Sequence, residues 1–166
     1  MLLFLVVLFG ALCVFLLVPL LWGAPYVPSK PAQIRAMLDL TNVRPGEQVA
    51  DLGSGDGRVV IAFARAGAEA HGYEINPLLV WRARRRIRAA GLAGKAFVYW
   101  QSLWRADVRT ADVVTVFGVR HIMGRLERKL RRELKPGARV VSNGYQFPVW
   151  SVERSADRVT LFIQYA

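Results

Sequence analysis

The sequence predicts an α/β protein: a doubly wound, mixed sheet preceded by an N-terminal transmembrane helix. Three observations carry this reading. Short apolar runs with strand character alternate with amphipathic segments of helical period, which is the pattern of a parallel sheet covered by helices. A glycine-rich turn, Asp51-Leu52-Gly53-Ser54-Gly55-Asp56-Gly57, joins the first such strand to the helix behind it. The chain opens on a long run of Leu, Val, Phe and Ala, and no charged residue occurs before Lys30.

The opening run is long enough to matter. As a helix, its first 22 residues would extend roughly 33 Å, enough to cross a hydrocarbon core. Gly10 and Pro19 are compatible with that, because membrane helices tolerate both. A cleaved signal peptide would show a basic leader and a shorter apolar core. Neither is present, so residues 1–23 are read as an uncleaved anchor. All 23 basic and 12 acidic residues follow it, giving a net charge of +11. The positive-inside bias then places the following domain in the cytoplasm. Cys13 is the only cysteine and lies within this run, so one chain has no disulfide framework or cysteine metal site. His71 and His121 are too isolated to suggest a metal centre, and none is expected.

Residues 24–31 hold three prolines and read as a stiff, non-helical linker. The main domain follows over 32–166. Ser29 is expected to cap a helix with Pro31 in its first turn. This helix runs to about Leu40, with Ile34, Met37 and Leu38 inward. Strand 1 is expected over 48–52, a helix over 58–66 and strand 2 over 69–75. A second helix over 77–90 turns Leu79, Val80, Ala83, Ile87 and Ala90 inward, and its five arginines outward. Strand 3 is expected over 95–100 and strand 4 over 112–118. A helix over 122–134 buries Ile122, Leu126, Leu130 and Leu134, with Arg125, Arg128, Lys129, Arg131 and Arg132 outside. Strand 5 covers 139–142. A closing hairpin is expected from 149–153 and 158–165, around Ser155-Ala156-Asp157.

The glycine turn constrains the ligand. A dinucleotide fingerprint spaces its glycines G-x-G-x-x-G to admit a pyrophosphate. Here the spacing is D-x-G-x-G-x-G, and the acid two residues before the first glycine would repel a diphosphate. It suits a cationic amine. A second acid, Glu74, ends the next apolar stretch, where a carboxylate can accept hydrogen bonds from ribose hydroxyls.

Asp51, the three glycines and Glu74 together resemble the first motif and the following acidic position of class I S-adenosylmethionine-dependent methyltransferases, whose sheet is Rossmann-like. A narrower resemblance extends along the chain. It rests on Pro25-Tyr26-Val27-Pro28-Ser29 after the apolar run, Val114-Thr115-Val116-Phe117-Gly118-Val119 at strand 4, then Met123, Leu126, Glu127, Lys129, Leu130, Phe147-Pro148 and Trp150. These residues resemble the family of the lysine methyltransferases that act on the mitochondrial adenine nucleotide translocase and on the c-subunit of ATP synthase. The small size and arginine content suit a bacterial relative. The resemblance implies a seven-strand methyltransferase core over 32–166, S-adenosylmethionine as cofactor and a membrane-protein lysine as acceptor.

Site residues follow from the motif and the resemblance. Asp51 is expected to meet the methionine amine, and Gly53, Ser54, Gly55 and Gly57 to line the methionyl and ribose path. Glu74 and the adjoining Ile75 would hold the ribose. Tyr26, Val27 and Pro28 would cover the methionine end, unless they only form a rigid linker. Related enzymes often place an acid after strand 3 for the adenine amine. Here Gln101, Ser102 and Leu103 stand there, and Gln101 or Ser102 can accept that bond without a charge. Phe117 is placed where the methyl should project. Phe117, Tyr145 and Phe147 are the acceptor-pocket candidates, with Trp150 close by, and packing around the hairpin is the competing role. Asp56 is read as a turn or capping residue, and His121 as structural. The basic helix faces suit a membrane with anionic lipids. No RNA-binding module is visible, which argues against nucleic acid. The alternatives are a non-catalytic module that binds the cofactor or a partner, and a methyltransferase of a lipid or small molecule.

Overall fold

The computed structural model describes residues 27–165 together with Val6 and Gly10. The expected anchor, those two positions apart, and Tyr26 lie outside the described residues. Among the described residues, no helix is long and apolar enough to cross a membrane. Five helices and strands open the domain: α1 (Pro31–Thr41), β1 (Gln48–Leu52), α2 (Arg58–Arg65), β2 (Glu69–Glu74) and α3 (Pro77–Ala89). They are followed by β3 (Ala96–Trp100), a single 3₁₀ turn (Leu103–Arg105), β4 (Val113–Phe117), α4 (Arg120–Glu133), β5 (Arg139–Asn143), β6 (Arg154–Ala156) and β7 (Val159–Ile163).

The seven strands form one sheet in the order β3-β2-β1-β4-β5-β7-β6. β1 to β5 are parallel, and β7 runs antiparallel to both β5 and β6. The order reverses direction beside β1, so the carboxyl ends of β1, β2 and β4 flank a crevice where an open α/β sheet accepts ligands.

Period-two alternation divides the central strands between two apolar layers. Val49 and Val113 pack with Met37, Phe63, Val80 and Ile87 beneath α1, α2 and α3. Ala50, Leu52, Val114 and Val116 point the other way, into Met123, Leu126 and Leu130 of α4 and into Phe147, Trp150 and Phe162. Asp51 therefore lies on the strand face that Val49 and Val113 share, and pairs in register with Thr115.

Several expectations are corrected. Lys30, not Ser29, is the N-cap of α1. The Lys30 amide donates to Gln33 Oε1 at 2.8 Å, while the buried Ser29 hydroxyl accepts from Asn143 Nδ2 at 3.2 Å. Residues 149–153 do not form the first hairpin strand. Val149 donates its N–H to Glu127 Oε2 at 3.2 Å and Trp150 turns into the core, so pairing starts only at Arg154. The turn sits at Asp157 and Arg158, both with positive φ (49° and 67°), as a two-residue hairpin loop requires. Lys129 is not an outer residue. Its buried ammonium donates to Ala106 O at 2.8 Å and pairs with Glu133 at 2.5 Å. Two of the outward α3 arginines also bond to the protein: Arg84, still exposed, donates from Nε to Val98 O at 2.8 Å, and the half-exposed Arg86 pairs with Asp56.

Candidate active site

One cleft opens at the carboxyl ends of β1, β2 and β4. Asp51, Gly53, Ser54 and Gly55 form its floor, Glu74 and Ile75 one wall, Ser102 and Leu103 the end beyond β3, and Phe117 the opposite end at β4. Val27 and Pro28 close it from the N-terminal side. Asp56, Asn76 and Leu79 also line it.

Asp51 is buried and only half satisfied. Its Oδ1 accepts from Thr115 Oγ1 at 2.6 Å, while Oδ2 has no protein partner. Burial pushes its carboxyl up to about 7; the Thr115 hydroxyl opposes this, and the charges of Glu74 and Asp56 reinforce it. A buried carboxylate without a partner is costly, so the site is built to receive a cation or donor at Oδ2. The Ser54 hydroxyl in the same floor also lacks a protein partner.

Glu74 is fixed from both sides. Its Oε2 accepts the Gly55 N–H at 2.9 Å and its Oε1 the Asn76 N–H at 2.8 Å. Each oxygen keeps a second lone pair for a hydroxyl. Asn76 caps α3 at the same time, its Oδ1 accepting from Leu78 N–H at 3.0 Å.

The glycine turn is not an anion cradle. The Gly53 and Ser54 amides donate to Tyr73 O at 2.9 and 3.1 Å, and the Gly57 amide to Ser54 O at 2.9 Å. With Gly55 committed to Glu74, these N–H groups are already used, and of the charged groups lining the cleft among the described residues three are acids (Asp51, Asp56, Glu74), the one cation, Arg58, being paired with Asp56. Gly53 is exposed with φ of 85° and open space where a Cβ would stand, so the backbone itself is available to a ligand. Gly57 serves packing: a Cβ there would lie 2.9 Å from Ala83 Cβ of α3. It does not line the cleft.

Asp56 anchors the turn as the centre of an arginine clamp rather than a cap. Arg58 meets it at 2.9 Å, Arg86 pairs with the same carboxylate, and Arg58 Nη1 also donates to Ser29 O at 3.1 Å. The clamp thus ties the turn to α3 and to the segment carrying Val27 and Pro28. Asn143, fully buried at the end of β5, holds that segment from the opposite side through Ser29 and through Gln33 Nε2 at 2.9 Å.

Of the remaining expected residues, Gln101 lines an adjoining recess that shares Ile75 and Ser102 with the cleft, and donates from Nε2 to Arg105 O at 2.7 Å. Ser102 Oγ accepts from Trp104 N–H at 3.4 Å. Phe147 is core, edge-on to Phe162 with ring centroids 4.9 Å apart. Tyr145 is exposed and does not line the cleft. His121 is exposed at the start of α4. Sequence reasoning misses Thr115, although a hydroxyl within an otherwise apolar central strand is its signal. It misses Asn76, Arg86 and Asn143 because what they hold is set by the tertiary fold.

The unpaired Asp51 oxygen, the fixed Glu74 carboxylate and the open Gly53 backbone fit the amine, ribose and sulfonium of the cofactor that the resemblance implies. Comparison with known proteins agrees. Residues 51–154 match the model of the ANTKMT methyltransferase domain. The ATP synthase c-subunit lysine N-methyltransferase of Rattus norvegicus is 42% identical over 131 residues, covering 79% of this chain and 60% of that protein. A protein-lysine N-methyltransferase of Saccharolobus islandicus is 36% identical over 129 residues, covering 76% of this chain and 80% of that one. The crystal structure of an RNA methyltransferase from Salinibacter ruber, in complex with S-adenosyl-L-homocysteine, superposes with a TM-score of 0.80 at 34% identity, covering 84% of this chain and 94% of that one. The matched stretch spans 60% of the rat enzyme and 53% of its Mus musculus counterpart. With the family model matched over most of the domain and 80% of the Saccharolobus islandicus relative covered, this chain belongs to the ANTKMT methyltransferase domain family.

Proposed function

We propose that this protein is a membrane-anchored, S-adenosylmethionine-dependent methyltransferase that methylates a lysine of a membrane protein. The observation that carries the cofactor reading is the buried Asp51 Oδ2, unpaired beside the fixed Glu74 carboxylate. When bound, S-adenosylmethionine supplies an electrophilic methyl group on a sulfonium. Asp51 Oδ2 would accept from its amine and Glu74 from its ribose hydroxyls, and Ser102 would meet its adenine. The acidic floor favours a cation over a diphosphate. Phe117 and Ile122 make the β4 end of the cleft apolar. An amine brought there sheds water, which favours its neutral, nucleophilic form. Displacement at a methyl group needs alignment above all, and no acid–base pair is required of the protein.

The names of the Rattus norvegicus and Saccharolobus islandicus relatives support a lysine acceptor. The uncharged run over 1–23 supports an anchor, and the basic excess behind it supports a cytoplasmic domain. The Salinibacter ruber relative favours one second reading, an RNA acceptor. Methyl-labelled S-adenosylmethionine, incubated with the protein and native membranes, separates these. Label on lysine in a protein band supports the proposal. Label in the lipid extract or in RNA overturns the acceptor. Retained cofactor binding with no label leaves a binding module instead.

A further inference from the structure

Exposed apolar side chains gather at the cleft end of the sheet. Leu78 and Trp81, on the first two turns of α3, are 63% and 54% exposed, and Trp100 at the end of β3 is 68% exposed. Val27, on the opposite rim, and Tyr145, just past β5, are also exposed. Trp100 is carried beside the start of α3, its indole N–H donating to Ile75 O at 2.8 Å.

The outer face of α3 gives this rim its chemistry. At helical pitch Leu78, Trp81, Arg82 and Arg85 fall on one stripe, opposite the buried Val80, Ala83 and Ile87. Arg85 lies over the Trp81 ring, 5.7 Å from its centroid. The helix carries no acidic residue. A stripe of leucine and tryptophan joined to arginines on an acid-free helix is the composition of a surface that lies in a bilayer headgroup region.

We infer that the outer stripe of α3, with Trp100, docks on the surface of an anionic lipid bilayer, so that the cleft opens along the membrane plane. Charge complementarity selects the occupant: an apolar protein partner would not need Arg82 and Arg85, whereas acidic headgroups pair with them while the indoles sit at the interface. This contact is separate from the apolar N-terminal run, and its test needs no turnover.

The test uses the full chain in phosphatidylcholine vesicles, with and without phosphatidylglycerol, containing lipids brominated near the headgroup end of the acyl chain. Tryptophan emission should be quenched more in the anionic vesicles. W81F/W100F should lose most of that added quenching. R82E/R85E should lose its dependence on phosphatidylglycerol, with the docked-to-undocked ratio falling at least about thirtyfold. All four positions are on the outer surface, and a thermal midpoint equal to wild type reports intact folding. Equal quenching in wild type and W81F/W100F would overturn the inference. So would quenching of these indoles by a single-stranded oligonucleotide and not by brominated lipid.

Discussion

At the scale of single residues, the cleft depends on the protonation of Asp51. Its carboxyl titrates at about 7 because it is buried and close to two other acids. The folded-state pKa is raised above the unfolded value. The protonated, folded form is therefore favoured at low pH, and that stability is lost as pH rises from about 4 through about 7. A shift of this size corresponds to a few kcal/mol, on the order of 4 at most. D51N should flatten the stability profile and melt above wild type near pH 8 in the absence of ligand, as thermal denaturation across pH would show. A cationic ligand has the opposite dependence. It binds the carboxylate, so cofactor affinity should rise about tenfold per pH unit below the Asp51 pKa and level off above it. Calorimetry on wild type and D51N checks this, and a flat wild-type profile would remove Asp51 from the amine site. T115V takes away the hydroxyl that opposes the shift, so the affinity midpoint should move to higher pH.

At the scale of elements, the N-terminal wall of the cleft is held by Asn143. It bonds Ser29 and Gln33 across more than a hundred residues of sequence, and Arg58 takes the Ser29 carbonyl from the other side. N143A leaves two buried or half-buried polar groups unpaired, a loss of about 1–3 kcal/mol. It should lower the thermal midpoint and weaken cofactor binding together, because Val27 and Pro28 belong to the same segment. Unchanged affinity despite lower stability would show that this wall does not touch the ligand. The elements also show what the sequence makes legible. β1 to β5 and α1 to α4 are readable because apolar period and punctuation agree, as in the glycine turn before α2. The first hairpin strand is not. Val149, Trp150 and Val152 look like strand residues, yet Trp150 is claimed by Phe147 and Phe162, and Glu127 takes the Val149 amide. Likewise Phe147 is indistinguishable in sequence from a pocket aromatic, and only tertiary packing assigns it to the core. Lys129 and Arg86 look like surface charge for the same reason: their partners, Ala106 O and Asp56, lie at long range.

At the scale of the whole molecule, a protein with a net charge of +11 keeps an acidic floor in its cleft. Asp51 and Glu74 converge there from adjacent parallel strands, and the glycine turn spends its amides on the protein itself. That separation argues for a cationic small ligand at the floor and, on the outside, for acidic surroundings such as headgroups. The most direct measurement is calorimetric titration of S-adenosylmethionine and S-adenosylhomocysteine into wild type, E74Q and E74A. Both ligands should bind wild type, and E74A should bind at least about tenfold more weakly, the scale of a lost charged hydrogen bond. E74Q keeps one acceptor oxygen for the Gly55 or the Asn76 amide and sets its NH2 against the other, so it should fall between them, with a thermal midpoint somewhat below wild type. Equal affinities for all three proteins, or no binding to wild type, would contradict the assignment of this cleft.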